Sequence, residues 1–286
     1  MVILCVVGDK RYRYLSEKLC ELGDVFTLGE GGRGTVGLSS IDDIPCPVDV
    51  LVLPMMGHGT SVVCGGNVYP LAELAEKVRP DGVVFAGRIG AEQSAVFEVK
   101  GIEVIDYFKS ESLALKNSVP TAEGALAIAI NETDDILFGS KVLITGWGRT
   151  AKCCARLFSA AGAYCTIAAR RKEALADAWT EGFGTVKIDE MKNAAERSDI
   201  IINTVPALVL TREILSSVEK SCLVIDLASM PGGTDHEAAQ NLGIKTVHAL
   251  ALPGKTAPKA AGRIIFETIK EILEERGETG DKGDKT

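Results

Sequence analysis

Val142-Leu-Ile-Thr-Gly146-Trp147-Gly148-Arg149-Thr150-Ala151 is the stretch that decides the fold. A strand-length run leads directly into G-x-G-x-x-A, and helical spacing follows through Ala151, Cys154, Ala155 and Phe158. Gly146 permits the tight turn, Gly148 lets the backbone approach a pyrophosphate, and Ala151 allows close helix–strand packing. The helix N-terminus adds N–H groups and positive potential. Taken alone, the loop could be a glycine-rich turn without a ligand. The strand before it and the helix after it point instead to a dinucleotide, with residues 146–151, including Trp147, Arg149 and Thr150, as the cradle.

The next strand, 164–168, runs into Ala169-Arg170-Arg171-Lys172. An NAD site usually places a carboxylate here, about 20 residues beyond the glycines, to hold the ribose 2′-hydroxyl. Three cations would pair with a 2′-phosphate instead, so the expected cofactor is NADP. The plainer alternative is a solvated basic start to a surface helix. Two later strand ends should face the nicotinamide: Asn203-Thr204-Val205-Pro206 and Asp226-Leu227-Ala228-Ser229. Thr204, Pro206, Asp226, Ala228 and Ser229 are therefore further cofactor candidates, although Pro206 and the Gly232-Gly233 pair also suit ordinary turns.

Outward from this core, short apolar runs alternate with amphipathic segments. Strands are expected at 142–145, 164–168, 185–188, 200–203, 223–226 and 245–248. The N-terminal half shows the same alternation, with strands at 2–7, 25–28, 48–53 (stopped by Pro54), 83–86 and 102–105. Helices are expected there at 12–22, 71–78 and 91–99, and the glycine-rich 29–37 reads as a loop. Continuous apolar runs between helices mean parallel sheets covered on both faces. Asn117-Ser-Val-Pro-Thr121 reads as a break before a long helix, and Pro253-Gly254 as a second break. A helix from 256 to about 276 carries Ala257, Ala261, Ile264, Ile265, Ile269, Ile272 and Leu273 on one face.

The expected fold class is α/β, with two doubly wound Rossmann-like domains and a C-terminal helix returning to the first. Residues 1–118 with 257–276 would form a substrate and partner domain, and 119–256 the NADP domain. Residues 277–286 would form a disordered tail. The first domain's counterpart loop, Val7-Gly8-Asp9-Lys10-Arg11, has a single glycine and should bind no dinucleotide.

Composition narrows the function classes. The 286 residues are 46% apolar and 24% charged, enough for two domains at roughly 100–200 residues each. Net charge is −8 and pI about 5.1, which argues against a nucleic-acid surface. Mean hydropathy is only +0.16, and no run approaches the ~18 apolar residues of a membrane span. The short apolar start reads as a buried strand rather than a signal peptide. The eight cysteines (Cys5, Cys20, Cys46, Cys64, Cys153, Cys154, Cys165 and Cys222) form no C-x-x-C pair and suit a reducing cytoplasm. His58, His236 and His248 are far apart in sequence and lack ligand spacing, so no metal site is expected.

Five blocks, in order, resemble one family: NSVPTAEGALAIAI (117–130), VLITGWGRTAK (142–152), NTVPALVL (203–210), DLASMPGGTD (226–235) and ALPGKTAPKAAGRII (251–265). Together they are similar to dipicolinate synthase A, the NADP-binding subunit of that enzyme, most specifically in the last two blocks. The resemblance implies an enzyme of spore-forming bacteria that oxidises a dihydrodipicolinate-level product of the lysine pathway with NADP. It also implies dipicolinate synthase B, a flavoprotein-like chain, as partner and a place in the mother-cell cytoplasm. A homo-oligomer is expected as well.

A dicarboxylate substrate needs cations or helix N-termini. Arg88, in Gly87-Arg88-Ile89-Gly90 after a first-domain strand, is the first candidate, followed by Lys255 and Lys259 around Pro258. Glu123 and His58 are the candidate proton acceptors. Glu123 in the first turn of its helix also suits the dipole, and His58 sits on a loop after a strand. A substrate crevice between the two domains is the expected arrangement. The competing readings are an S-adenosylhomocysteinase-like NAD protein, a 2-hydroxyacid or alanine dehydrogenase, and a non-catalytic NADP-binding protein.

Overall fold

Apolar runs without polar alternation need cover on both faces, and the computed structural model shows how they obtain it. It describes residues 1–45 and 47–278. The chain divides into one unit of Met1–Asn117 with Ala257–Thr286, and another of Ser118–Thr256. Cys46 and residues 279–286 of the expected tail lie outside the described residues.

The first unit contains β1 (Val2–Val6), α1 (Lys10–Leu19), β2 (Asp24–Leu28), β3 (Val36–Leu38), β4 (Val48–Met55), β5 (Ser61–Cys64) and β6 (Asn67–Pro70). It continues with α2 (Leu71–Ala75), β7 (Val78–Gly87), α3 (Ala91–Glu98) and β8 (Glu103–Asp106). Its parallel sheet has the order β3-β2-β1-β4-β7-β8. Then α4 (Glu111–Glu132) carries the chain across the unit boundary.

The second unit contains β9 (Lys141–Thr145), α5 (Arg149–Ala160), β10 (Tyr164–Ala169), α6 (Lys172–Thr180), β11 (Gly184–Lys187), α7 (Lys192–Glu196) and β12 (Ile200–Asn203). It continues with α8 (Arg212–Leu215), β13 (Leu223–Asp226), α9 (His236–Leu242), β14 (Lys245–His248) and α10 (Leu252–Thr256). Its order, β11-β10-β9-β12-β13-β14, repeats that of the first sheet. Both are doubly wound Rossmann sheets with a switch point beside their first strand.

The second sheet shows why its strands are apolar throughout. Val142, Ile144, Ile200, Ile202, Leu223 and Ile225 join one core cluster, whereas Leu143, Ile201 and Val224 join another. Successive side chains face opposite layers, and each layer is covered by helices. In the first unit the last helix, α11 (Pro258–Glu275), packs its Ile264, Ile265, Phe266, Ile269 and Leu273 into the core. It can approach α1 because Gly262 has no side chain: a Cβ there would lie 2.5 Å from the Arg11 carbonyl oxygen.

Several local expectations are corrected. The break at 117–121 is continuous helix, with Pro120 inside α4. Pro253-Gly254 lies within α10 rather than ending an element. Pro54 does not stop β4, because it falls where the β4–β7 register shifts between Val52 and Met55. A bulge tolerates a residue that cannot donate. The helix expected to reach 78 ends at Ala75, and Val78 already pairs with Val48. The glycine-rich loop contains β3. A hairpin, β5–β6, also forms around Gly65-Gly66, both at positive φ. Its signal was legible as Gly-Gly between valine-rich runs.

Candidate functional site

In the second unit, the turn after β9 and the start of α5 are built for an anion. Gly146 has φ +89°, and its N–H donates to the Ala168 carbonyl at 2.8 Å. At Gly148 a Cβ would meet nothing within 4 Å, so a ligand can approach the backbone there. No side chain caps α5 at Gly148, leaving its first turn, with Thr150 and Ala151, open to accept a ligand's oxygens. Ala151 is fully buried against the strand, and Arg149 is exposed. These residues fit a dinucleotide pyrophosphate.

The equivalent loop of the first unit is closed. A Cβ on Gly8 would lie 2.6 Å from Pro54 Cβ. The Asp9 side chain accepts from Arg11 N at the N-cap of α1 and pairs with the Arg11 guanidinium at 2.6 Å. A carboxyl group already sits where a phosphate would be held.

Trp147 packs toward α6. Its Nε1 donates to Asp177 Oδ2 at 2.7 Å, its ring meets Phe183 edge-on, and Lys152 lies over its face. Hydrogen bonds from Lys152 and then Trp147 hold the Asp177 carboxyl below its ordinary range. The Trp147 side chain therefore anchors α5 to α6, which leaves only its backbone to face a ligand.

Arg170, Arg171 and Lys172 are exposed immediately after β10 and at the start of α6. Among the described residues no acidic side chain forms an ion pair with any of the three.

A transverse row of polar side chains crosses the second sheet at the C-terminal ends of its strands. Strand register aligns Thr145 with Asn203, Asn203 with Asp226, and Asp226 with His248. Thr145 Oγ1 donates to Asn203 Oδ1 at 2.6 Å, and Asn203 Nδ2 donates to Asp226 Oδ1 at 2.7 Å. Asp226 also accepts from Ala228 N and Gly233 N. Asp226 is fully buried, and through these protein partners its carboxylate holds the 226–233 loop. Ala228 is buried too, and its carbonyl accepts from His248 Nε2 at 3.1 Å. Thr204 Oγ1 donates to the Thr145 carbonyl, while Pro206 and Ser229 are exposed. His236 and His248, distant in sequence, stack with centroids 5.1 Å apart. No ligand-spacing rule could have found that pair, which the packing of α9 against β14 creates.

In the first unit, Arg88 and His58 line one cavity of about 400 Å³, together with Gly57, Gly59 and the start of α3. Arg88 holds φ +56°, its N–H donates to Asp106 Oδ1 at 3.0 Å, and its guanidinium lies 5.7 Å from the Phe108 centroid. A non-glycine residue in this region is strained, a state that collects at functional sites. His58 also lines an adjoining cavity of about 270 Å³ with Gly8, Tyr12 and Met55.

The other candidates are placed differently. Glu123 is exposed in the middle of α4, which begins at Glu111, so the expected first-turn dipole role lapses. Lys255 belongs to α10 in the second unit and Lys259 to α11 in the first, and both are exposed. Among the described residues no cluster of His, Cys, Asp and Glu could hold a metal ion, and no helix is long and apolar enough to cross a membrane.

The paired sheets and the open glycine loop define a dinucleotide-binding protein on a dehydrogenase fold. Residues 120–251 match the S-adenosyl-L-homocysteine hydrolase NAD-binding domain family. At full length the chain is 34% identical to dipicolinate synthase A, one subunit of that enzyme, from Bacillus subtilis (strain 168), over 96% of both chains. It belongs to the dipicolinate synthase A family. The crystal structure of the same subunit from Bacillus halodurans superposes with a TM-score of 0.87 at 31% identity, covering 95% of this chain and 97% of the other. A transhydrogenase from Sinorhizobium meliloti shares the fold, with a TM-score of 0.74 at 17% identity over 97% and 95% of the two chains.

Proposed function

We propose that this chain oxidises a dihydrodipicolinate-level intermediate of the lysine pathway to dipicolinate, with NADP as the acceptor. The observation that carries the reading is the 34% identity to dipicolinate synthase A over 96% of both chains. The bound nicotinamide supplies the hydride acceptor; one ring C–H loses hydride, and a ring proton leaves as the product becomes aromatic. The protein's task is then chiefly orientation.

Residues 146–151 hold the pyrophosphate, with Arg170, Arg171 and Lys172 on the 2′-phosphate. The exposure of those three cations, and the absence of acidic partners for them among the described residues, support NADP over NAD. Thr204, Pro206 and Ser229 border the nicotinamide. Arg88 grips one substrate carboxylate, with Lys255 and Lys259 as further cationic candidates. His58 accepts the proton; Glu123 is the weaker alternative. The setting is the mother-cell cytoplasm during sporulation, with the flavoprotein-like dipicolinate synthase B as partner and self-association of this chain.

The test is to supply the purified chain with the dihydrodipicolinate-level intermediate and NADP⁺, with and without the partner. Pyridine-2,6-dicarboxylate and NADPH should accumulate in equal amounts. Cofactor binding without turnover, even beside the partner, would leave a non-catalytic NADP-binding protein.

A further inference from the structure

The loop carrying His58 has little packing of its own. At Gly57 and Gly59 a Cβ would meet nothing within 4 Å, and Gly59 holds φ +81°. Such a segment samples many conformations unless something ties it down. The tie comes from α3. Gln93 is only 6% exposed, and its amide spans two turns. Its Nε2 donates to the Gly57 carbonyl at 2.9 Å and to the Gly59 carbonyl at 2.6 Å, the two that flank His58. Its Oε1 accepts from Gly90 N at 2.9 Å, two residues beyond Arg88. Both amide donors are used, and one side chain fixes the His58 loop and the Arg88 turn to the same helix.

We propose that Gln93 is a positioning residue, setting His58 against the bound substrate by clamping both sides of its loop; this rests on the function proposed above. A glutamine suits the position for a chemical reason. It offers two N–H groups to two carbonyls and an oxygen to one N–H. Glutamate would turn acceptors toward the carbonyls, and methionine would supply no donor.

The test uses the full chain carrying Gln93→Ala and, because truncation could disturb the fold, the near-isosteric Gln93→Glu. Backbone NMR order parameters of residues 57–59 should fall from about 0.85 toward about 0.6 in both, with NADP affinity within twofold of the parent. Turnover number should fall at least tenfold, and more steeply than substrate KM rises. In a His58→Ala background, Gln93→Ala should cost less than twofold further, because its effect runs through that histidine. Unchanged order parameters at 57–59, or a full additional loss without His58, would overturn the positioning role. Wild-type turnover in His58→Ala alone would overturn the catalytic reading of His58 instead, with the order parameters still reporting the clamp.

Discussion

Asn203 donates its side-chain amide to Asp226 across 2.7 Å, and both residues are fully buried at directly paired positions of neighbouring strands. Asp226 is also the acceptor for the N–H groups of Ala228 and Gly233. Asp226→Ala would leave the buried Ala228 and Gly233 N–H groups unmatched and cost Asn203 Nδ2 one of its two bonds, the other running to the Val205 carbonyl. Each unsatisfied group costs about 1–3 kcal/mol, so urea unfolding should show a loss of about 3 kcal/mol or more. Cofactor affinity should fall too, as the 226–233 loop loosens. A change under about 1 kcal/mol would mean that water replaces the carboxyl oxygens.

The basic cluster should decide the cofactor. With a 2′-phosphate held there, replacing Arg170 and Arg171 with serine would remove charge-assisted contacts worth about 1.5–3 kcal/mol each. NADP should weaken about tenfold or more per arginine, while NAD affinity changes little. Isothermal titration with both cofactors checks this. Parallel losses for the two would move the 2′-phosphate elsewhere.

Gly146 and Gly148 should separate folding from binding. Gly148→Val enters open space, so the thermal midpoint should hold while NADP binding disappears. Gly146→Ala places a Cβ 2.7 Å from Thr204 Oγ1 in a backbone with φ +89°. It should destabilise by about 1–2 kcal/mol through the backbone conformation alone. Thermal melts run beside NADP titrations distinguish the two variants.

Arg88 holds a positive φ that glycine adopts freely. Arg88→Gly should leave the melting temperature no lower than the parent's while raising substrate KM strongly. NADP affinity should stay put. Arg88→Lys should recover only part of the loss, because ammonium lacks the planar fork that grips a carboxylate. Steady-state assays of both variants report the outcome; parental KM in Arg88→Gly would reduce the residue to a surface charge.

Burial pushes the Cys154, Cys165 and Cys222 thiols up from 9.0 to about 12. A folded-state pKa above the unfolded one contributes stability that is complete below pH 9.0 and lost as pH rises toward about 12. These thiols should therefore resist alkylation in the native protein at pH 9 and react once urea unfolds it. Half-buried Cys20 should label earlier. Mass spectrometry of labelled peptides shows the order, and early labelling of Cys222 would contradict it.

The sequence by itself determined the two parallel sheets and the glycine loop. Uninterrupted apolar runs fit only strands covered on both faces, and Gly146, Gly148 and Ala151 each answer a local steric demand. Local reading failed where a tertiary partner overrides a residue's preference. Pro54 sits at a register shift inside β4, Pro120 and Pro253 lie inside helices, and Glu123 finds itself far from the start of α4. Only the tertiary structure decided the remainder. Thr145, Asn203, Asp226 and His248 form a row because four strands share one register, which no single strand encodes. Gln93 reads as an ordinary helical residue until folding brings it within hydrogen-bond reach of carbonyls 36 and 34 positions away. Backbone conformation and burial period are short-range properties written residue by residue, whereas a buried hydrogen bond needs two distant segments placed to within a few tenths of an ångström, and packing alone does that.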